Sequence, residues 1–477
     1  MASKKTLNAA NLETLGASRL AAVLLDLAVG DAQVKRRLRL ELASAGGGGG
    51  VAAQVRKRLA TIAKARSVIE WNKTRAVADD LAMQRRAILD HVAPGDPGEA
   101  FDLLWRLIAL ATPISDRCDN DPADIFDEIA AALEALPPLA IAARLTPETL
   151  ADRVFDLVSE DLHGQYDGLI ALLAEAMGRP GLTHLQGRFE AFAASPPPPL
   201  PEKERRLIGY GRDGPFYAED LTVRRHARTA SAALNAIADA LGDADAFIAR
   251  QPAETRTNPA VAAEIAERLL RAGRADEALA ALDLAAASRA RGGYWETWDM
   301  MRIAALEALG RVDDVQAMRW SLFAESLNAE QLRLYLKRLP DFDDYEAERR
   351  AMAHAAGVAN VHVALDFLIG WPDLPRAAAL VLARSAEIDG NFYELLTPAA
   401  EALETRYPLA ATLLLRAMIE FALTRARTKR YPHAARHLES CASLARRIED
   451  FGGWDDHQTY VAELRAQHGR KTGFWSA

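Results

Sequence analysis

Residues 269–279 read LLRAGRADEAL, and the fold prediction is based on this segment. An apolar helical run leads up to Gly273. The helix is predicted to end there, because glycine adopts the left-handed conformation of a helix end without steric cost. Asp276 follows in what would be the first turn of the next helix, where a negative charge is favourable. The same pattern, a glycine followed three residues later by an aspartate, recurs 37 residues later as GRVD at residues 310–313. A helix–turn–helix unit with a period in the thirties predicts an α-solenoid.

The composition of the 477-residue chain favours helix throughout. Aromatic residues make up only 7% of it, and long stretches such as Ala262–Ala287 are rich in Ala, Leu, Arg, Glu and Asp. These residues lose little side-chain entropy in a helix. No convincing run of alternating β-branched and aromatic residues is present, so any sheet is expected to be minor. The predicted fold class is all-α.

Proline and glycine divide the chain into four predicted segments. The tetrapeptide PGDP at residues 94–97 ends the first, and a proline run at 196–199 forms a stiff spacer. Five glycines at 46–50 predict a flexible loop within the first segment. The segments are a basic N-terminal helical region at 1–93, a helical domain at 94–195, a Pro/Gly-rich linker and turn at 196–219, and a helical-repeat domain at 220–477.

The stretch at 269–279 resembles the turn between the two helices of a tetratricopeptide repeat. The resemblance covers about two units well and the rest of 220–450 poorly, so the repeats are described as degenerate and tetratricopeptide-like. It implies a scaffold that holds peptides or partner proteins in a groove. It implies nothing about catalytic activity.

Two further segments resemble known families. Val92–Arg106, followed by Arg117-Cys118-Asp119, is similar to an uncharacterised bacterial family of unknown function. The ending Tyr460–Arg465, then His468–Lys471, resembles the C-terminal tails of proteins that carry a SWIM zinc finger. That finger needs a CxC pair, which this chain lacks. The zinc module and its DNA-binding role are therefore not transferred.

Cysteine and histidine placement predicts neither a metal nor a cofactor. Cys118 and Cys441 lie far apart and outside any CxxC motif, as expected for unpaired thiols in a reducing, cytoplasmic compartment. His433, His437 and Cys441 are spaced four residues apart on one predicted helix. The outer two would lie about 12 Å apart at 1.5 Å per residue, too far to share one ion. No catalytic residue is predicted.

Hydropathy predicts no membrane partner. No uncharged apolar stretch reaches the roughly 18 residues that a transmembrane helix needs. The apolar run near Leu20–Val29 is interrupted by Asp26 and has helical spacing, so it is expected to form an amphipathic helix.

Charge is distributed unevenly along the chain. Residues 1–75 hold 14 Lys/Arg and 5 Asp/Glu, a net of +9, whereas the whole chain carries −8, so the remainder carries −17. The candidate anion-binding residues on the predicted N-terminal helix are Arg56, Lys57, Arg58, Lys64, Arg66, Lys73 and Arg75. Three interpretations are open: these side chains form a solvated face, they bind nucleic acid, or they contact acidic groups of the same chain.

Aromatic residues beside glycines are the candidates for a partner groove. They are Tyr294, Trp295, Trp298 and Trp454. Such clusters are usually core, although some grip a partner's side chain. The leading hypothesis is a non-enzymatic helical-repeat scaffold that mediates protein–protein interaction. The alternative is a nucleic-acid-associated protein that binds through its basic N-terminal helices. An enzyme with a site assembled from scattered acids and histidines is the third.

Overall fold

A computed structural model describes residues 6–44, 47–119, 122–161, 164–198, 200–201, 205–211, 214–293 and 295–477. The chain divides into two compact units. The first contains residues up to 274 together with 284–288, and the second contains 275–283 and 289–477.

The first unit consists of helices and one β-hairpin. Its α-helices are α1 (Ala9–Glu13), α2 (Ala17–Ala28), α3 (Ala32–Ser44), α4 (Gly48–Lys64), α5 (Thr74–Ala87), α6 (Pro97–Ile108), α7 (Ala111–Ser115), α8 (Ala123–Glu134), α9 (Leu136–Ala143), α10 (Pro147–Ser159), α11 (Leu169–Ala194), α12 (Ala218–Leu241), α13 (Ala244–Arg250) and α14 (Pro259–Arg271). Short 3-10 helices span Trp71–Lys73 and Thr255–Thr257, and one π-helical turn spans Ile88–Val92.

One apolar core connects the first two predicted segments. Val55 and Leu59 on α4 are buried in the same cluster as Phe101 on α6 and Phe189 on α11, and the cluster reaches Ile237 on α12. These residues recur at helical spacing, so each helix offers one apolar face to the shared core. The boundary predicted at 93/94 therefore does not coincide with a break in the core.

The predicted glycine loop is shorter in the structure than the sequence suggested. Helix α4 already begins at Gly48, so the last three of the five glycines are helical. A Cβ at Gly48 would lie 2.7 Å from the carbonyl oxygen of His91. Glycine is needed here because the backbone packs against a neighbouring turn, not because the chain is a loop.

The predicted linker and turn contains a β-hairpin. Strands β1 (Leu207–Gly211) and β2 (Gly214–Tyr217) pair antiparallel, and α12 begins at the next residue. In the described residues these are the only two strands. The expectation of a minor sheet and an all-α fold class is confirmed.

The second unit is helical in all its described regular elements. Helix α15 (Ala275–Ala290) contributes residues to both units. The others are α16 (Glu296–Ala308), α17 (Val312–Ser326), α18 (Ala329–Leu336), α19 (Asp343–Ala356), α20 (Val361–Gly370), α21 (Leu374–Arg384), α22 (Tyr393–Leu403), α23 (Pro408–Thr424), α24 (Tyr431–Ala445), α25 (His457–His468) and α26 (Thr472–Trp475), with 3-10 helices at Ser385–Glu387 and Thr428–Arg430.

From α16 to α24, each helix packs on the next along the chain, and several also pack on the next but one. Contacts of the second kind join α17 to α19, α19 to α21, α20 to α22 and α21 to α23. This near-neighbour pattern is that of stacked helix pairs and confirms the predicted repeat architecture. After α24 the pattern changes, since both α25 and α26 pack on α24, and Phe474 of α26 is buried.

The two turns that decided the prediction have the same hydrogen bonds. At Gly273 (φ +74°), the Arg274 N–H donates to the Leu269 carbonyl at 2.8 Å. At Gly310 (φ +68°), the Arg311 N–H donates to the Leu306 carbonyl at 2.9 Å. These bonds satisfy helix-end carbonyls that would otherwise lack a partner.

Three further turns share this bond, which the sequence analysis did not predict there. The Asp243 N–H donates to the Ala238 carbonyl at 2.8 Å around Gly242, 31 residues before Gly273. The Arg427 N–H donates to the Ala422 carbonyl at 2.9 Å around Ala426 (φ +49°). Around Pro372 (φ +28°), the Asp373 N–H donates to the Leu368 carbonyl at 2.9 Å. These last two turns therefore place a proline and an alanine where the other three have glycine.

No described helix is both long enough and apolar enough to cross a lipid bilayer.

The left-handed turns at Gly310 and Ala426 predict that opposite substitutions change the free energy of unfolding in opposite directions. Gly310→Ala should lower the free energy of unfolding by about 1 kcal/mol, because an added Cβ disfavours the left-handed conformation. Ala426→Gly should raise it by up to about 1 kcal/mol for the same reason. Urea denaturation of the purified protein measures both.

Ala379, an exposed residue within α21, provides the matched control. Ala379→Gly should cost about 1 kcal/mol, because glycine is unfavourable inside a helix. If Ala426→Gly destabilised the protein as Ala379→Gly does, the assignment of the left-handed turn at Ala426 would be wrong.

Candidate functional site

A cavity of about 710 Å³ lies beside α23 in the second unit. Its wall combines the 3-10 turn before α22, one side of α23, the loop before α25 and one face of α25. Its polar and aromatic lining includes Asp389, Arg416, Glu420, Arg425, Trp454, Asp455, Tyr460, Glu463 and His468. A volume of this size is typical of protein sites that enclose a small molecule or several side chains of a partner.

Helix α23 carries the central residue of the cavity. Most of its side chains are buried, and Leu413, Leu414 and Leu415 continue the apolar sequence up to Arg416. Arg416 is itself only 5% exposed. A charged side chain buried to this degree normally requires hydrogen-bonding partners on all sides.

The guanidinium of Arg416 is only partly satisfied. Its Nη1 donates to the carbonyl oxygen of Asp455 at 2.9 Å, and its Cζ lies 4.1 Å from the centre of the Tyr460 ring. Its Nε and Nη2 have no hydrogen-bond partner in the described part of the chain. Two buried donors are therefore available to a group that enters the cavity.

Capping of α25 holds the Asp455 carbonyl in place. The next residue, Asp456, is the N-cap and accepts a hydrogen bond from the Thr459 N–H at 2.8 Å. That hydrogen bond holds the pKa of Asp456 below its ordinary value. The carboxylate is charged at neutral pH and stabilises the helix start.

The cavity has more acidic than basic groups. Asp389, Glu420, Asp455 and Glu463 contribute four carboxylates, and Arg416 and Arg425 contribute two positive charges, which leaves −2 with histidine neutral. Desolvation lowers the pKa of His468, so the neutral form dominates near pH 7.

Glu420 has a perturbed environment. Desolvation raises its pKa, and the positive charge of Arg416 partly offsets that effect. An enclosed carboxylate of this kind accepts hydrogen bonds readily from an entering donor. The site thus offers donors from Arg416 and acceptors from its acids, and it suits a ligand that carries both kinds of group.

The structure separates the four candidate groove residues. Trp454 lines the cavity. Trp298 is only 4% exposed and donates its indole N–H to the Leu282 carbonyl at 3.2 Å, so it is a core residue. Trp295 is the N-cap of α16 and donates to the Gly292 carbonyl. Tyr294 lies outside the described residues.

Sequence reasoning did not identify Arg416. The available signal was the two charged residues, Arg416 and Glu420, within the otherwise apolar stretch TLLLRAMIEFAL at 412–423. The local sequence does not show that the face of α23 carrying Arg416 is buried, since the residues that enclose that face come from α25.

The candidate anion-binding residues divide into two groups in the first unit. Ion pairs within the chain engage Arg56 with Glu99, Arg58 with Asp80, Lys73 with Glu70, and Arg75 with Asp79 and Asp124. Lys57, Lys64 and Arg66 have no ion-pair partner among the described residues. The chain's own acids therefore neutralise part of the basic region.

Neither cysteine has a disulfide partner. Burial raises the pKa of the Cys441 thiol to about 12 and that of Cys118 above its ordinary value. Both thiols are therefore protonated at neutral pH and poorly nucleophilic. The described residues include no group of three His, Cys, Asp or Glu side chains placed to hold a metal ion.

A family model matches residues 2–477, which is nearly the whole chain. The chain belongs to the family of unknown function DUF6880. The resemblance to an uncharacterised family predicted from residues 92–119 is thereby confirmed. The likeness of the C-terminal tail to SWIM-associated proteins stays a prediction.

A search of curated proteins finds no match. Among solved structures, the chain is similar to a circular tandem repeat protein with novel repeat topology and enhanced subunit contact surfaces. The identity is 14%, the match covers 93% of this chain and 92% of the other, and the TM-score is 0.15. At this TM-score the match adds nothing to the description of the fold given by this chain's own helices.

The unsatisfied guanidinium predicts that Arg416 contributes little to stability. Arg416→Met should change the free energy of unfolding by no more than about 1 kcal/mol in either direction. Methionine keeps the packing against Tyr460, and removal of two unpaired buried donors offsets the loss of the bond to Asp455. Urea denaturation measures the change.

Arg319 on α17 is the matched control, since it is equally buried but paired with Glu307 at 2.7 Å. Arg319→Met should cost about 2 kcal/mol, the loss of a charge-assisted hydrogen bond. A loss of about 3 kcal/mol or more for Arg416→Met would show that Arg416 is a structural residue.

Proposed function

We propose that the protein is a non-enzymatic scaffold that binds a segment of a partner protein in the cavity around Arg416. The observation that carries this proposal is the pair of unpartnered nitrogens on Arg416 at the cavity wall. Stacked helix pairs provide a rigid support for such a site.

The energetics of Arg416 favour a ligand over a purely structural role. A buried donor without a partner costs about 1–3 kcal/mol, and this cost is recovered when an acceptor binds. A carbonyl or carboxylate oxygen of a partner supplies such an acceptor. The free protein is therefore arranged so that binding, not folding, completes the hydrogen bonds of this side chain.

The charge of the cavity selects the chemistry of the partner segment. With a net charge of −2, the lining disfavours a simple acid. A backbone carbonyl can accept from Arg416 without adding negative charge, and a lysine, arginine or N-terminal amine can pair with Glu420 or Glu463. A basic polypeptide segment satisfies both sets of groups, since every residue carries a carbonyl acceptor.

Aromatic side chains supply contact area for the same segment. Trp454 and Tyr460 line the cavity, and Tyr460 lies against the Arg416 guanidinium. Aromatic and arginine side chains in enclosed pockets dominate the energetics of many protein interfaces. The cavity thus combines an aromatic surface, one buried cation and several acids.

Selection from a random peptide library on the purified full-length protein tests the proposal. Enriched peptides should be basic, and synthetic copies should bind in isothermal titration calorimetry. Arg416→Met should weaken that binding by at least tenfold, equivalent to about 1.4 kcal/mol, because it removes both donors. Glu420→Gln should weaken basic peptides by a smaller factor.

Arg406→Met is the control, since Arg406 is exposed and lies outside the lining of this cavity. It should leave the affinity unchanged. The proposal fails if no peptide is enriched, or if Arg416→Met binds the enriched peptides as tightly as the original protein does.

A further inference from the structure

We infer that a second cavity, between α3 and α4 in the first unit, binds a phosphate group. The cavity has a volume of about 280 Å³, and five cationic side chains line it: Lys35, Arg36 and Arg39 from α3, and Lys57 and Arg58 from α4. This inference does not depend on the function proposed for the second unit.

The positive charge around this cavity is only partly neutralised. Asp80 on α5 is 2% exposed; it accepts from Arg58 Nε at 2.8 Å and lies 3.5 Å from Arg36 Nε. The cavity lining itself contains no carboxylate. Five cations against one buried carboxylate leave a surplus of four positive charges.

The three other cations have no counter-charge of their own. Lys35, Arg39 and Lys57 are exposed at the cavity and form no ion pair with a described residue. Other basic residues nearby, such as Arg56 and Arg75, do pair with acids of the same chain. The acidic remainder of the chain thus neutralises the surroundings of the cavity more than the cavity itself.

A buried amide adds a second, independent indication of a ligand. Gln84 is 1% exposed, lines the cavity, and donates its Nε2 to Asp80 Oδ1 at 3.1 Å. Its Oε1 has no partner among the described residues. Asp80 fixes the amide nitrogen, which leaves this oxygen able to accept a hydrogen bond from a group in the cavity.

Phosphate fits these groups better than carboxylate does. A phosphate monoester carries a charge of about −1.5 to −2 at pH 7 and three acceptor oxygens, whereas a carboxylate carries −1 and two. Its second pKa is about 6, so a fraction of the monoester keeps a proton that can be donated to Gln84. A phosphodiester carries −1 and two non-bridging oxygens, and an adjacent ribose hydroxyl supplies the proton donor for Gln84.

Binding to the full-length protein at low salt tests the inference with two probes. One probe is adenosine 5′-monophosphate, and the other is a short single-stranded RNA without a terminal phosphate. Isothermal titration calorimetry should detect at least one of them. Binding of the mononucleotide alone identifies a phosphate monoester as the ligand; binding of the RNA alone identifies the nucleic-acid backbone, and its affinity should fall with salt as counterions are released.

A matched pair of triple variants distinguishes the cavity from general electrostatics. Lys35→Gln, Arg39→Gln and Lys57→Gln together should weaken binding by at least tenfold. Lys64→Gln, Arg66→Gln and Lys73→Gln remove the same number of lysines and arginines outside the cavity, and they should weaken binding by less than threefold. All three residues of the first variant are exposed, and an unchanged circular dichroism melting curve confirms that it folds.

The inference is overturned if neither probe binds at low salt. It is also overturned if both triple variants weaken binding equally, since that result would assign the attraction to net charge rather than to this cavity.

Discussion

The chain must reverse direction at the end of each helix so that the next helix can cover its apolar face. The recurrent solution is a backbone hydrogen bond that reaches five residues back, from Arg274 to Leu269 and from Arg311 to Leu306. This bond satisfies carbonyls at the helix end and fixes the exit direction of the chain at the same time. Packing between successive helices, and hence the walls of the cavity beside α23, depends on these reversals.

The cavity around Arg416 shows how the scaffold and the site are related. Helix α23 is held by neighbours on several sides, which allows an arginine within it to be buried with incomplete hydrogen bonding. An exposed arginine in the same sequence would donate hydrogen bonds to water, so none of its donors would lack a partner.

Local sequence signals predicted local structure well. Gly273 and Gly310 identify helix ends because only a few residue types tolerate the left-handed conformation. The third turn was equally readable, since residues 242–245 read GDAD beside GRAD at 273–276 and GRVD at 310–313. The turn at Ala426 was not readable, because tertiary packing imposes there a conformation that alanine does not prefer.

Non-local features could not be predicted in the same way. The prolines and glycines near 93 suggested a domain boundary, but the buried faces of α4, α6 and α11 meet in one core. Trp298 and Trp454 both lie close to glycines in the sequence, yet one is in the core and the other lines a cavity. The lining of that cavity runs from Ser385 to His468, which are 83 positions apart, and the periodicity within a single helix cannot predict contacts over such a separation.

The short helix α26 has a consequence for assembly. A ladder of helix pairs has apolar faces at its ends, and an uncovered face invites another copy of the chain to stack upon it. Here Phe474 packs edge-on against Tyr431 of α24, and Lys471 donates to the Leu423 carbonyl. Because α25 and α26 pack on α24, they cover apolar surface of that helix that a neighbouring helix pair, or a second copy of the chain, would otherwise contact.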